Sequence, residues 1–442
     1  MDTPICDFVR AYARSKTCRL HMPGHKGTSV LGMEHLDITE IQGADSLYEA
    51  EGIIAKSEAN ASVLFGCRTL YSAEGSSQCI RAMLYLISLY AKQQGRKPLV
   101  AAGRNAHKSF LTAAALLDMP VDWLCPEQPE SYLSCELTAG ELVRYLESAS
   151  PMPTAVYLTS PDYLGKVADV AALAEVCHRY GVLLAVDNAH GAYLKFLPES
   201  MHPMDLGADI CCDSAHKTLP VLTGGAYLHL AETMDSTQAK NALMLFGSTS
   251  PSYLILQSLD RANVYLQQYP KKLERLLPAV EELKQRLCRH GYALYGNEPL
   301  KLTVATKAYG YLGADFADLL RRDHIEPEFA DPDYVVLMLS AEADEALLQR
   351  LEKTLCGIER KNPMEEKCPP FARGKQLISI REAMLSATEL LPVEDCVGRI
   401  LAVPTVGCPP AVPILVCGEQ INENALRCFA YYGIHTCCVV KG

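Results

Sequence analysis

Apolar residues in the middle of the chain fall into short unbroken runs, and each run ends in polar residues. "KPLVAAG" (97–103), "TAVYLTS" (154–160), "VLLAVDNAHG" (182–191) and "ADICCDSAHK" (208–217) show no apolar–polar alternation, so each predicts a strand buried on both faces. Between them the apolar positions recur at helical spacing, in "SQCIRAMLYLISLYAK" (77–92), "LTAGELVRYLESAS" (137–150) and "ADVAALAEVCHRYG" (168–181). Thr138 and Glu141 have capping-box spacing, Asp169 is placed as an N-cap, and Gly181 stands just past a helix end. Buried strands alternating with helices predict an α/β fold with a mainly parallel sheet covered on both faces. In such sheets the ligand lies beyond the carboxyl ends of the strands. Those ends are where this chain turns polar: "TSPDY", "DNAHG" and "SAHK".

The pattern changes near residue 260. "KKLERLLPAVEELKQRLCRHG" (271–291) sets Leu273, Leu276, Leu277, Val280, Leu283 and Leu287 on one helical face. "LKLTVATK", "GADFADLLRRD", "PDYVVLMLS" and "ADEALLQRLEKTL" then continue as strand, helix, strand and helix. The polar, proline-containing "ERKNPMEEKCPP" (359–370) reads as a linker to a small final piece that includes "VGRILAVPTVGCPPAVPILVCGEQI" (397–421). The expected organisation is a major domain with an N-terminal arm over 1–260, a smaller α+β domain over 261–360, and a C-terminal domain over 361–442.

Composition narrows the function classes. A chain of 442 residues can hold a large core, and a net charge of −11 argues against a nucleic-acid surface, which needs a basic face. The 18 cysteines are scattered, without CxxC or other metal spacing, and read as small core residues in a reducing cytoplasm. "MDTPICDFVRAYARSK" has no signal-peptide pattern, and no apolar run approaches a membrane span.

Candidate chemistry gathers at the polar strand ends. Lys217 reads either as a solvated lysine or as a Schiff-base lysine with its amine tuned by burial and by neighbours such as His216. Asp187 reads either as a turn-former before "NAHG" or as the partner of a protonated pyridine nitrogen in pyridoxal phosphate (PLP). The Gly-Ser-Ser turn at 75–77 opens a helix, which suits a phosphate held on Ser76 and Ser77, although a plain serine N-cap has the same pattern. His107 starts another helix after a strand, a place compatible with stacking on a ring.

Seven motifs then occur in order: "HMPGHKG" (21–27), "DITEIQGADSLYEAEGII" (37–54), "EGSSQ" (74–78), "RNAHKS" (104–109), "TSPDYLGKVAD" (159–169), "VDNAHGAY" (186–193) and "DSAHKTLP" (213–220). Together with "STSPSYLILQSLDRA" (248–262), "IEPEFAD" (325–331) and "VGRI…PPAVPILVCGEQI", they resemble the fold-type-I PLP enzymes of the Orn/Lys/Arg decarboxylase family. The resemblance covers essentially the whole chain, and the length is similar to that of compact members lacking the N-terminal extra domain. It implies a PLP-dependent transferase-like fold and decarboxylation of arginine, lysine or ornithine to the amine and CO2, a step of polyamine biosynthesis. It implies that Lys217 carries the cofactor as its Schiff base, that Asp187 pairs with the pyridine nitrogen, that His107 stacks on the ring, and that His190 lies close to it. Ser76, Ser77, Ser214 and His216 would hold the phosphate, and Ser160 would lie near the cofactor. Thr249 and Ser250 would reach the phosphate of a neighbouring subunit, which makes the enzyme at least a homodimer, with no nucleic-acid or membrane partner.

Two positions depart from the family's usual pattern, Asn188 in place of an acid and Asp162 in "SPDY", and both bear on substrate choice. A basic substrate needs a carboxylate for its distal cation, and Glu328 and Glu419 are the candidates. No metal is expected. An aminotransferase, a Cα–Cβ lyase or a non-catalytic PLP-binding protein would use the same lysine and aspartate.

Overall fold

The computed structural model describes residues 1–125, 131–370, 373–404 and 411–442. Part of the C-terminal motif, including Pro409 and Pro410, lies outside the described residues. Seven strands form one sheet: β1 (Arg68–Ser72), β2 (Val100–Gly103), β3 (Val121–Leu124), β4 (Ala155–Thr159), β5 (Leu183–Asp187), β6 (Ile210–Asp213) and β7 (Ala226–Leu230). Their spatial order is β1-β7-β6-β5-β4-β2-β3. Every residue of β2, β5, β6 and β7 is buried, as the absence of alternation requires.

Pairing is parallel between β2 and β3 and between β5 and β6. β7 is the exception, running antiparallel to both β6 and β1. The reason is the β6–β7 connection. It holds only a one-turn helix, Ala215–Thr218, and a loop, with no crossover helix to carry the chain back over the sheet. This also corrects one expectation. "ADICCDSAHK" is not strand throughout: β6 stops at Asp213, and Lys217 sits on the short helix that follows.

The chain packs as two units, residues 1–98, 154–157 and 170–272 in the first, and 99–153, 158–169 and 273–442 in the second. In the first, helices Pro4–Arg14, Ile53–Phe65 and Tyr253–Leu266 pack on one another around a buried polar knot. There Asp260 accepts from the Cys6 amide (2.9 Å) and the Ser57 hydroxyl (2.6 Å). In the second, β8 (Leu294–Tyr295), β9 (Lys301–Ala305), β10 (Phe329–Ala330) and β11 (Tyr334–Met338) make an antiparallel sheet ordered β10-β11-β9-β8. The helix Tyr269–His290 buries Leu273, Leu276, Val280, Leu283 and Leu287, five of its six expected apolar positions, while Leu277 is partly exposed. The capping box of Thr138 and Glu141 is present in both directions. Residues 359–367 are exposed and irregular. β12 (Thr388–Pro392) and β13 (Thr436–Val440) then pair beside the helix Glu423–Tyr431 around Leu401, Ile414, Phe429 and Val439.

Candidate active site

β5 and β6 lie side by side and parallel, so their carboxyl ends deliver Asp187 and the turn that begins at Ser214 to neighbouring places. Asp187 is buried, a costly position for a carboxylate. It accepts from the Tyr157 hydroxyl (3.1 Å), the Ala189 amide (3.2 Å) and the Cys212 thiol (3.6 Å). Burial pushes its pKa up, and the charge of Lys217 and the bond from Tyr157 only partly offset that rise. A further cation would satisfy it. Lys217 Nζ lies 3.0 Å from His190 Nε2, and His190 is itself buried.

A second set of groups surrounds the start of the helix Ser76–Gln93. Gly75 precedes it at φ +73°, a backbone region glycine adopts without strain, and a Cβ placed there would meet open space. No side chain caps this helix, and the Ser214 hydroxyl donates to the Ser76 hydroxyl at 2.7 Å. Ser77 follows on the first turn. His216 donates from Nδ1 to the Gly225 carbonyl (3.0 Å), which leaves Nε2 as its other polar atom, and burial lowers its pKa. Thr249 and Ser250 are exposed, on a loop whose Ser248 amide donates to the Glu74 carboxylate, one residue before Gly75.

The second unit carries the remaining sequence candidates. His107 caps the helix Lys108–Leu117, its Nδ1 accepting from the Ser109 amide at 3.1 Å. Ser160 is buried, and its hydroxyl accepts from the Ala168 amide at 3.0 Å. Asp162 accepts from the amides of Leu164 and Lys166, both at 2.9 Å, and burial pushes its pKa up to about 6. Glu328 is exposed and accepts from the Tyr163 hydroxyl at 2.7 Å, whose ring packs edge-on against Phe329.

Glu419 is in a different position. It is 1% exposed, pairs with Arg104 at 3.0 Å and accepts from the Val416 amide at 2.9 Å. Its charge is already neutralised inside the protein. Glu419→Gln is therefore expected to lower the unfolding free energy by about 3–5 kcal/mol, since it strands a buried guanidinium. The urea midpoint measures this, and a shift worth under about 1 kcal/mol would contradict the pairing's structural role.

Several neighbours of these residues gave no functional signal in the sequence reading: Tyr157, Arg104, and the buried His202, Asp213 and His229. A usable signal existed for two of them. An aspartate directly after "CC" and a histidine within "AYLHL" are polar residues in runs that read as buried, and such groups need partners.

The residues present fit pyridoxal phosphate. A buried carboxylate awaits a cation, an amine sits beside an imidazole, and an uncapped helix start with converging hydroxyls and open space suits a phosphate. The sheet and these strand-end groups define a fold-type-I, PLP-dependent enzyme. Residues 3–298 match the Orn/Lys/Arg decarboxylase major domain, and residues 375–436 match the Orn/Lys/Arg decarboxylase C-terminal domain. The chain belongs to the Orn/Lys/Arg decarboxylase family and is an amino-acid decarboxylase.

Among its relatives, YaaO of Bacillus subtilis, described as an uncharacterized protein, is 28% identical over 97% of this chain and 93% of its own length. The arginine decarboxylase of Bacillus subtilis is 27% identical over 96% of this chain and 92% of its own. Lysine decarboxylase A from Pseudomonas aeruginosa shares the fold at a TM-score of 0.82 and 16% identity, over 99% of this chain and 80% of that one.

Proposed function

We propose that the chain decarboxylates a basic amino acid, arginine first and lysine or ornithine after it, to the corresponding amine and CO2. The observation that carries this reading is the buried Asp187 on one strand end with the Lys217–His190 pair on the next segment of the same sheet edge. The order of preference among substrates draws support from relatives named arginine decarboxylases, which align along 96% of this chain.

When bound, PLP supplies the conjugated ring that takes up the electron pair left at Cα as CO2 departs. Lys217 would hold it covalently, Asp187 would pair with its ring nitrogen, and Ser76, Ser77, Ser214 and His216 would hold its phosphate. His190 Nε2 stands one hydrogen bond from Lys217 Nζ, so it can take the ammonium proton when that amine must act as a nucleophile and return it afterwards. Tyr157 and the Ala189 amide donate to Asp187 and partly offset the burial that raises its pKa, and a cation facing it would offset the rest. The resemblance extends this proposal to His107 and Ser160.

For the distal cation of the substrate we favour Glu328 over Glu419. Glu328 has a neutral phenol as its partner, whereas Glu419 is spoken for by Arg104. Measuring kcat/KM for arginine, lysine, ornithine and a neutral analogue of similar length, with amine and CO2 detection, tests both levels of the proposal. Glu328→Gln is expected to cost the best substrate about tenfold or more, since a charge-assisted contact is lost, and the neutral analogue much less. Equal losses on both would remove Glu328 from substrate recognition. Release of a keto acid in place of CO2 would overturn the decarboxylase reading.

We also propose a cytoplasmic enzyme, at least dimeric, with no nucleic-acid or membrane partner. The net charge of −11 supports the first exclusion. Among the described residues no helix is long and apolar enough to cross a membrane. The exposed Thr249 and Ser250, and exposed Leu20, Val30 and Leu31 on the N-terminal arm, support self-association. Thr249→Val combined with Ser250→Ala is expected to loosen cofactor retention, and mixing it with an inactive Lys217→Ala protein should restore part of the activity. A fully active monomer on dilution would refute the assembly.

A further inference from the structure

Behind the residues assigned above lies a fully buried cluster that the proposed chemistry does not use. Asp213, the last residue of β6, spends both carboxylate oxygens on side chains. Oδ2 accepts from His202 Nε2 (3.1 Å) and His229 Nε2 (3.0 Å), and Oδ1 accepts from Asn188 Nδ2 (2.6 Å). Asp213, His202, His229 and Asn188 are each 0% exposed.

The proton positions follow from the outer partners. His202 Nδ1 accepts from the Met204 amide at 3.3 Å, so its proton is on Nε2, facing the carboxylate. Burial keeps His229 neutral, so with Nε2–H on Asp213 its Nδ1 accepts from the Thr69 hydroxyl at 2.9 Å. Burial alone would push Asp213 upward, but the two imidazoles outweigh it and hold its carboxyl below the usual carboxylate range.

A metal is the first alternative, because His202, Cys211 and Asp213 bring ligand atoms within 4.8 Å of one another. The bonding argues against it. Asp213 Oδ2 already occupies the place between the two imidazole N–H groups, Oδ1 is held by an amide, and burial keeps the Cys211 thiol well above its ordinary pKa and protonated. The hydrogen bonds around Asp213 are filled, Oδ1 also receiving the Cys211 thiol at 3.9 Å, while among the described residues Asn188 Oδ1 is buried with no partner.

Its position gives it a role. Asn188 directly follows Asp187, and its amide continues the ladder to the Cys212 carbonyl at 2.9 Å. Asp213 directly precedes Ser214, whose carbonyl accepts from the Lys217 amide at 3.0 Å to close the short helix. One carboxylate therefore ties the segment after Asp187, the turn carrying Lys217, β7 and the loop at His202. We propose that Asp213, with His202, His229 and Asn188, is a positioning element that sets Asp187 and the Lys217 turn for the cofactor. This inference rests on the proposed use of those two residues.

The sense of the Asn188–Asp213 bond makes the proposal testable. Asn188→Asp sets a second carboxylate against the first in a buried site, so the pair either repels or takes up a proton that the wild-type bond does not need. Adding Asp213→Asn restores a donor facing an acceptor, and leaves an amide oxygen for the two imidazole N–H groups. The expected result is that Asn188→Asp weakens PLP retention roughly 10- to 100-fold, the scale on which partners that orient binding groups act in metal sites. It should also lower kcat with little change in KM, and the double variant should recover most of both.

Hydrogen exchange on the cofactor-free proteins gives a readout independent of activity. Amides over 188–191 and 214–219 should exchange faster in Asn188→Asp and return toward wild type in the double variant. Should Asn188→Asp fail to fold, Asn188→Ala supplies the comparison, because it removes the bond to Asp213 Oδ1 and leaves both imidazole bonds in place. Unchanged exchange and retention in a folded variant, or a double variant no better than the single one, would overturn the positioning role. Failure of the wild-type protein to bind PLP would instead overturn the functional reading, and the exchange data would still decide whether the cluster orders the two segments.

Discussion

Lys217→Ala is expected to remove turnover by at least about a thousandfold, with the fold retained, because the covalent tether and the nucleophilic amine are lost together. Three observations support so large an effect at this lysine. It occupies a one-turn helix that follows a fully buried strand, its Nζ is 3.0 Å from a buried imidazole, and its charge acts on Asp187. None of these describes a lysine that merely covers surface. Borohydride treatment of the cofactor-loaded protein should fix the pyridoxyl group on the peptide containing "SAHKTLP" and nowhere else. Circular dichroism on the variant should match wild type, since the short helix carrying Lys217 is closed by backbone bonds that the substitution leaves in place. A label on Lys108, which neighbours His107, or activity within tenfold of wild type in Lys217→Ala, would refute the assignment.

His190→Gln offers a milder companion measurement. Glutamine keeps a polar group near Nζ but cannot take its proton, so the pH at which the amine becomes nucleophilic should move upward while the cofactor still binds. Unchanged pH dependence would confine His190 to packing.

Much of this was legible in the chain because buried strands write themselves plainly. "LLAVD" and "ICCD" contain nothing that could face water until their last residue, so both the strand and the place where it turns polar were readable. The amphipathic helix near 271–291 was equally plain, since five of its expected apolar positions are buried. What the pattern hid was pairwise. Nothing local to "CCDSAHK" says that the strand stops at Asp213, because Ser214 and Ala215 suit a strand or a turn, and the antiparallel return of β7 settles which forms. Nor does Glu419 announce Arg104, more than 300 positions away in sequence, which makes a carboxylate in an otherwise suggestive motif part of a buried ion pair. The Asn188–Asp213 bond is of the same kind. Asn188 is visible as a departure from the family's usual residue, but its partner emerges only when β5 and β6 lie side by side.

The second large effect is expected at Asp187. Asp187→Asn preserves the shape and can still accept from Tyr157, yet it removes the negative charge that would hold a ring nitrogen protonated. A charge-assisted contact at a reacting group is worth about 2–4 kcal/mol, so kcat/KM should fall roughly 30- to 900-fold. The cofactor-free protein offers a second test that does not involve turnover. Burial raises the Asp187 pKa in the folded state above its unfolded value, so between those two values the native protein binds more protons than the unfolded one. Stability therefore rises as pH falls through that window and declines as pH increases through it. Asparagine cannot titrate, so Asp187→Asn should flatten this slope and stabilise the cofactor-free protein at neutral pH, even as it loses activity. Loading with PLP should then stabilise wild type more than the variant, because only wild type gains a cation facing a buried charge. Denaturant midpoints measured from pH 4 to pH 8, with and without PLP, read all of these differences. Near-normal turnover in Asp187→Asn, or equal stabilisation of both proteins by PLP, would show that the buried carboxylate serves the sheet and not the cofactor.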